Sequence, residues 1–254
     1  MITYKTKEEI EILREGGRRL ATVLYAVRDA VRSGVTTCEL DALASALILQ
    51  GGDKPAFLDY QPVGASHPFP AALCVSVNDE VVHGIPGDRV LEKGDIVGID
   101  LGLIHKGLIT DMAMTVPVGP VEGVIAELLR VTNKALKEGI KAARVGSTTG
   151  DIGHAIENFV SPYGYGVVRE LSGHGVGYRV HEPPMIPNYG RRGKGAKLKA
   201  GMVIALEPMM NMGKRDVHCK KDGYTIVTND GSWSAHFEHT IAITEGGPIL
   251  LTEK

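Results

Sequence analysis

The sequence predicts an α+β domain built from two similar halves that face each other. Three observations carry that prediction: helices opened by capping boxes, short apolar runs of strand length, and a set of internal repeats. Thr6-Lys-Glu-Glu9 is a capping box that opens a helix running to about Ser33, with Ile10, Leu13, Leu20, Leu24 and Val27 near helical spacing. Thr36-Thr-Cys-Glu39 is a second box, and its helix ends at Gly51-Gly52. A Pro- and Gly-rich loop follows to Pro70. Strand-like runs come next at Leu73–Val77, Asp95–Leu103 and Leu108–Val118. Helices are expected from about Val121 to Ala143 and from Thr149 to Val160, and the remainder reads as strand and loop, ending in Phe237–Thr244. No linker or low-complexity stretch interrupts residues 1–254, so one domain is expected, with halves of roughly 1–118 and 119–254.

The repeats are specific. Gly34-Val-Thr-Thr-Cys-Glu-Leu40 matches Gly146-Ser-Thr-Thr-Gly-Asp-Ile152, each between two helices. Leu91-Glu-Lys-Gly-Asp-Ile-Val-Gly-Ile-Asp100 matches Leu198-Lys-Ala-Gly-Met-Val-Ile-Ala-Leu-Glu207. Thr110–Val116 resembles Phe237–Ile243 in its alternation, and Val82-His-Gly-Ile-Pro86 echoes Val180-His-Glu-Pro-Pro184. Two repeats are too few for a solenoid. A carboxylate or histidine sits at the equivalent place in each half, so the site is expected between the halves.

Composition narrows the function. With 28 Lys+Arg, 30 Asp+Glu and a net charge of −2, neither nucleic acid nor an anionic membrane is the expected partner. Hydrophobic residues at 43% and charged residues at 23% are those of a globular chain. Residues 1–17 lack the apolar core of a signal peptide, and the longest apolar stretch, near Ala42–Leu49, is far short of the ~20 residues of a membrane span. Cys38, Cys74 and Cys219 are odd in number and widely spaced, which fits reduced thiols in a cytoplasmic protein.

The chemistry lies in the acids. Asp100 ends one apolar strand and Asp111 lies near the start of the next. With Ile104-His-Lys-Gly107 as the hairpin loop, the two carboxylates pair directly across the strands. Like charges so placed need a cation between them or a raised pKa, and neither strand carries Lys or Arg near them. Glu207 and Glu238 terminate or interrupt apolar runs of the second half, and His174 stands between glycines. An isolated Asp at a strand end is an ordinary turn residue, and a glycine-flanked His an ordinary loop residue. Four acids placed equivalently in two repeats are neither. Four carboxylates and one imidazole are too many for a closed zinc site and suit two adjacent ions such as Mn, Fe or Co, with Zn also compatible. Such a pair is hydrolytic machinery. H-E-x-x-H, G-x-S-x-G and Walker sequences are absent, and Gly173-x-Gly175-x-Gly177 is not a dinucleotide fingerprint.

At these residues the chain resembles the type I methionine aminopeptidases, which are pita-bread metallopeptidases. The resemblance runs from the first helix to Glu245 through Val75–Pro86, the Asp100/Asp111 pair, Gly173–Gly177, Ile186–Gly190, Ala205–Met209 and Phe237–Thr240. It implies the pita-bread fold, two pseudo-symmetric αβ halves around a central curved antiparallel sheet with helices on the outer face. It also implies two divalent ions (Co, Mn, Fe or Zn) on Asp100, Asp111, His174, Glu207 and Glu238, with Asp111 and Glu238 bridging. By the same resemblance a water between the ions would attack the carbonyl of an N-terminal Met, Glu207 would shuttle the proton, His181 would contact the carbonyl oxygen and His83 the leaving nitrogen. By the same resemblance Phe69, Cys74, Tyr224 and His67, with Ser66 and Val180 nearby, form the pocket for the methionine side chain.

The implied substrates are peptides and nascent chains with a small second residue, met at the ribosome, and the implied enzyme is monomeric. The sequence departs from the pattern at Ser66 and Val180, where aromatics are usual, and at Met112, where Thr is usual, so a wider pocket and relaxed Met selectivity are expected. His236 and His239 are read as outer or surface residues rather than ligands. Proline-directed relatives share the five ligands but carry a further N-terminal domain. Metal-free relatives that act as binding modules are opposed here by the intact ligand set.

Overall fold

A computed structural model describes all of residues 1–254. Helix α1 spans Lys7–Ala30 and α2 Thr37–Gln50; α3 spans Gly123–Ala142 and α4 Thr149–Val160. Thr6 and Thr36 close the predicted capping boxes with Glu9 and Glu39, and Thr148 closes a third with Asp151. Helix α3 has no side-chain cap and begins two residues later than expected.

The first half contributes β1 (Lys54–Pro55), β2 (Leu73–Val77), β3 (Glu80–Val82), β4 (Ile96–His105) and β5 (Leu108–Pro117). β4 pairs with β5 along one edge and with β2 and β1 along the other. The second half contributes β6 (Gly166–Val167), β7 (Gly173–Gly175), β8 (Glu182–Ile186), β9 (Val203–Leu206) and β10 (Met209–Asn211). It continues with β11 (Val217–Cys219), β12 (Ile226–Thr228), β13 (Ser234–His236), β14 (His239–Thr244) and β15 (Gly247–Leu250). Its main sheet has the order β15-β14-β9-β7-β8, with every neighbouring pair antiparallel. Two smaller sheets, β13-β10-β6 and β11-β12-β3, complete the fold, the latter joining strands of both halves.

The repeats fold alike. Gly34 N–H donates to the Leu91 carbonyl (2.9 Å) as Gly146 N–H donates to Leu198 (3.0 Å), and Thr37 bonds Arg89 as Thr149 bonds Ala196, both at 3.0 Å. Each half packs its helix pair on its own sheet. Leu20, Leu24, Val27, Leu40 and Ile48 of α1 and α2 meet Leu73, Val75, Val97, Ile99, Leu101 and Met112. Leu128, Val131, Leu136, Ile152 and Ile156 of α3 and α4 meet Ile204, Leu206, Ile241 and Ile243. Each such side chain contributes about 1.5–3 kcal/mol when fully buried.

This packing decides where the acids point. Successive strand residues face opposite sides. Val97, Ile99, Leu101, Ile204, Leu206, Ile241 and Ile243 face the helices, so the alternate positions face away from them. Asp100 and Asp111 take that alternate parity on β4 and β5, and Glu207 and Glu238 take it just beyond the end of β9 and just before β14. Met112 lies on the helix side, 2% exposed, so its departure from the usual Thr does not reach the site.

The hairpin register differs from expectation. The turn is two residues, Lys106 (φ +48°) and Gly107 (φ +82°), and His105 pairs with Leu108. Asp100 therefore pairs with Ala113 and Asp111 with Gly102. The carboxylates share a face as diagonal neighbours rather than standing directly opposite. The reason is the turn: positive φ at both central residues is the tight hairpin geometry that suits a twisted strand pair, and Gly107 supplies the second of them.

The two main sheets meet at β5 without a regular ladder. Thr240 Oγ1 accepts Asp111 N–H (2.9 Å) and donates to the Asp111 carbonyl (2.7 Å). Thr115 Oγ1 likewise accepts His236 N–H and donates to the His236 carbonyl, both at 2.8 Å. Glu238 N–H donates to the Ala113 carbonyl (2.8 Å).

Candidate active site

Asp100, Asp111, His174, Glu207 and Glu238 come together on the wall of one cavity, two from the hairpin of the first half and three from the second. Asp111, His174 and Glu238 each offer a ligand atom, all within 4.8 Å of one another. His174 Nδ1–H donates to the Gly175 carbonyl at 2.9 Å, which leaves the Nε2 lone pair facing the acids. That nitrogen lies 3.4 Å from Glu207 Oε1. A backbone acceptor on one ring nitrogen is how metal-binding histidines are oriented.

The electrostatics also ask for cations. Asp100 Oδ1, Asp111 Oδ1 and Glu238 Oε1 are buried without a hydrogen-bond partner. Burial pushes the Asp100 carboxyl up to about 7. Burial, with repulsion from the neighbouring carboxylates, raises Asp111, Glu207 and Glu238 well above the usual range. Burial lowers His174 to about 3, helped by His181, so the imidazole is neutral and can ligate. Four oxygen-donor side chains and one neutral imidazole fit divalent cations of the hard-to-borderline class.

His83 and His181 line the same cavity. His83 has φ +58°, a conformation costly for a non-glycine residue. It is held there because Gly84 lies flat against β2: a Cβ at Gly84 would stand 2.1 Å from the Val75 carbonyl oxygen. Burial, with the charge of His181, lowers His83 to about 4. Tyr60 Oη and His181 Nδ1 are hydrogen-bonded at 2.9 Å, and the His181 ring stands edge-on to His174, centroids 4.5 Å apart. Phe69, Cys74, Val180 and Tyr224 form the apolar wall, with the Tyr224 ring edge against Phe69 at 5.2 Å. Burial and the nearby acids raise the Cys74 thiol well above its usual value, so Cys74 is a soft wall and not a nucleophile.

Two expectations about the pocket are corrected. Ser66 is exposed and does not line the cavity; Tyr60 and Phe57 do, so the missing aromatic is supplied from elsewhere. The backbones of Tyr60 and Phe69 are bonded to each other (Phe69 N–H to the Tyr60 carbonyl, 2.9 Å), and residues 61–68 loop out between them. His67 stands outside the cavity. Its Nε2 meets the Asp222 carbonyl at 3.1 Å, its carbonyl accepts from Tyr224 Oη, and its ring packs on Tyr224 at 5.1 Å, so it braces the wall from behind.

The sequence profile of metallopeptidase family M24 matches residues 11–245. The chain belongs to metallopeptidase family M24. It is 46% identical over 252 residues to methionine aminopeptidase 1 of Bacillus subtilis, covering 99% of each chain. The crystal structure of a methionine aminopeptidase from Thermotoga maritima superposes with a TM-score of 0.95 at 43% identity, covering 100% of both chains. The prolidase of Pyrococcus furiosus shares the fold at a TM-score of 0.78 and 28% identity, but this chain covers only 65% of it. The pita-bread fold expected from the sequence is borne out. No helix is long and apolar enough to cross a membrane.

Beyond the expected residues, this M24 chain brings Phe57, Tyr60 and Pro62 to the cavity. Phe57 and Tyr60 were legible only as part of a Pro- and Gly-rich loop, because nothing in that stretch has strand or helix period. His236 is buried, not a surface residue; its Nε2 has no hydrogen-bond partner and lies 4.0 Å from both Glu207 Oε2 and Glu238 Oε2. His239 is turned elsewhere, its Nδ1 meeting Thr252 Oγ1 at 2.9 Å.

Proposed function

We propose that this chain is a methionine aminopeptidase. In this reading residues 1–254 act as one catalytic domain, a cytoplasmic monomer holding two divalent ions and removing Met from peptides and nascent chains with a small second residue. The observation that carries the proposal is the convergence of five ligating side chains from both halves beside an apolar cavity flanked by His83 and His181.

When bound, divalent ions on Asp100, Asp111, His174, Glu207 and Glu238 supply Lewis acidity, to a peptide carbonyl and to water alike. The other tasks fall to the chain. Phe57, Tyr60, Phe69, Cys74, Val180 and Tyr224 receive the Met side chain, ring edges and a thiol being suited to a thioether. Burial raises the Tyr60 phenol pKa, so Tyr60 keeps its proton and donates it to His181 Nδ1. The His181 proton then sits on Nε2, where it stabilises the oxygen of the carbonyl under attack. His83, neutral because burial lowers its pKa, accepts from or donates to the nitrogen of the scissile bond. Glu207, on the cavity wall beside His174, takes a proton from the attacking water and returns it to that nitrogen as the C–N bond breaks.

The test is a panel of Met-X peptides, with Leu- and Pro-initiated controls, after chelation and re-addition of single divalent ions. Met-Ala and Met-Ser peptides should be cut only with metal. With Tyr60 and Phe57 completing the wall, Leu should be slower than Met by roughly 10- to 200-fold in kcat/KM, the value of a methylene-scale misfit. Cleavage without metal, or preference for an X-Pro bond, would refute the proposal.

A further inference from the structure

The segment before α1 crosses to the second half of the molecule. Lys5 N–H donates to the Gly201 carbonyl at 2.7 Å. The Lys5 ammonium then enters the interior and meets Glu182 Oε2 at 2.7 Å, with side-chain exposures of 1% and 3%. Charges buried so deeply are costly unless they are well partnered; Lys5 Nζ also donates to the Thr3 hydroxyl at 2.5 Å and lies 4.7 Å from the centre of the Tyr178 ring. Glu182 Oε2 also accepts from the Thr3 hydroxyl, while Oε1 accepts Tyr178 N–H (2.6 Å) and Arg179 N–H (3.0 Å).

The turn from Gly177 to Glu182 is thereby wrapped around the carboxylate at its own end. It is fixed on its other side too. The Gly177 carbonyl accepts Ile109 N–H of β5 at 2.7 Å. Gly177 itself has φ +134°, and a Cβ there would stand 2.5 Å from Lys5 Cε. This turn carries Val180 and His181 into the cavity, and Glu182 pairs with Gly175, beside His174.

We propose that Lys5 and Thr3 are positioning residues: through Glu182 they fix the turn that presents His181 to the substrate. The proposal rests on the reading of His181 given above. Neither residue is among those lining the cavity. Replacing Lys5 by an uncharged side chain leaves the Glu182 Oε2 charge buried with one hydroxyl partner, so the turn must open to water and His181 loses its place. Displacements of about 1 Å from productive geometry cost up to about 10²-fold in rate.

The test uses the full-length, metal-loaded protein. Lys5→Met and Thr3→Val are made alone and combined with His181→Ala, and kcat, KM and Tm are measured separately. Lys5→Met should lower kcat by roughly 10- to 100-fold with a smaller change in KM, and Thr3→Val should do the same less strongly. In the His181→Ala background neither should lower kcat further, because residues acting through one group are not additive. A second readout needs no activity: the His181 ring resonances should shift or broaden in Lys5→Met and Thr3→Val by NMR, while those of His154, away from the turn, stay in place. Equal losses in both backgrounds, a lowered Tm with unchanged kcat, or unmoved His181 resonances would each overturn the proposal. Should Lys5→Met not fold, Thr3→Val tests the same coupling on its own, by the same two readouts.

Discussion

Raising the pH of the chelated protein from 6.5 to 8 should lower its melting temperature, and a divalent cation should reverse the loss. In the folded chain burial raises Asp100 to about 7 and, with mutual repulsion, carries Asp111, Glu207 and Glu238 well above the carboxylate range. Unfolded, these groups titrate near 4. Their contribution to stability is fully present below that pH and is lost as the pH rises toward and through the folded values, because the folded chain then holds protons that the unfolded chain has released. The buried histidines act in the opposite sense. Burial lowers His83 to about 4 and His174 and His236 to about 3, so their contribution grows as the pH rises and is complete above about 6.5. Above 6.5 the slope is therefore set by the acids together with His67, which the carbonyls of Pro68 and Asp222 hold above its usual value. Each carboxyl still protonated there costs about 1.4 kcal/mol per pH unit. One such group held across about 1.5 pH units costs roughly 2 kcal/mol, or about 4–8 °C in Tm for a chain of this size. Thermal unfolding after dialysis against EDTA, at several pH values with and without Mn²⁺ or Co²⁺, measures it. Cation binding requires ionised ligands, so the stabilisation it gives should grow with pH. A flat Tm between 6.5 and 8 without metal, or a cation increment that shrinks over that range, would refute the reasoning.

Asp111→Asn and Glu238→Gln should each lower metal stoichiometry, read by elemental analysis, and reduce activity by orders of magnitude, while far-UV circular dichroism stays unchanged; two ions bound with wild-type turnover in either variant would remove both residues from the bridging role. Gly84→Ala should destabilise the chain and lower activity together, because the added methyl meets the Val75 carbonyl at 2.1 Å and must push His83 out of place; a variant with wild-type Tm and kcat would show that the strand and turn can separate at no cost.

Much of the site was legible in the sequence because its parts obey local rules. The capping boxes at Thr6 and Thr36 set helix starts to the residue, whereas the start of α3 slipped where Glu122 makes no side-chain cap. The internal repeats set an acid or a histidine at the equivalent place in each half, and the structure brings all four acids to one cavity. Three things were not legible. The hairpin register depended on whether His105 or Leu103 is the last paired residue, a choice made by the Lys106-Gly107 backbone and not by hydrophobicity. The aromatic Tyr60 was hidden because it lies in a Pro- and Gly-rich stretch without strand or helix period, and only the Phe69–Tyr60 backbone bond, which loops out residues 61–68, brings it to the wall. The Lys5–Glu182 pair joins residues 177 apart in the chain, and neither side chain has a local pattern to announce its burial.

The threonine contacts at the meeting of the two sheets have a consequence for the choice of ion. Asp111 and Glu238 lie on opposite sides of that junction, and the hydroxyl of Thr240 takes up both backbone groups of Asp111. A hydroxyl that accepts from an amide and donates to the adjacent carbonyl acts as a caliper one oxygen wide, set between the backbones that carry the two acids. Serine in its place keeps the jaws and frees the methyl packing, and valine keeps the packing and removes the jaws. The gap offered to divalent cations, and with it the ionic radius that fits best, can therefore be reset from a side chain outside the five ligating residues.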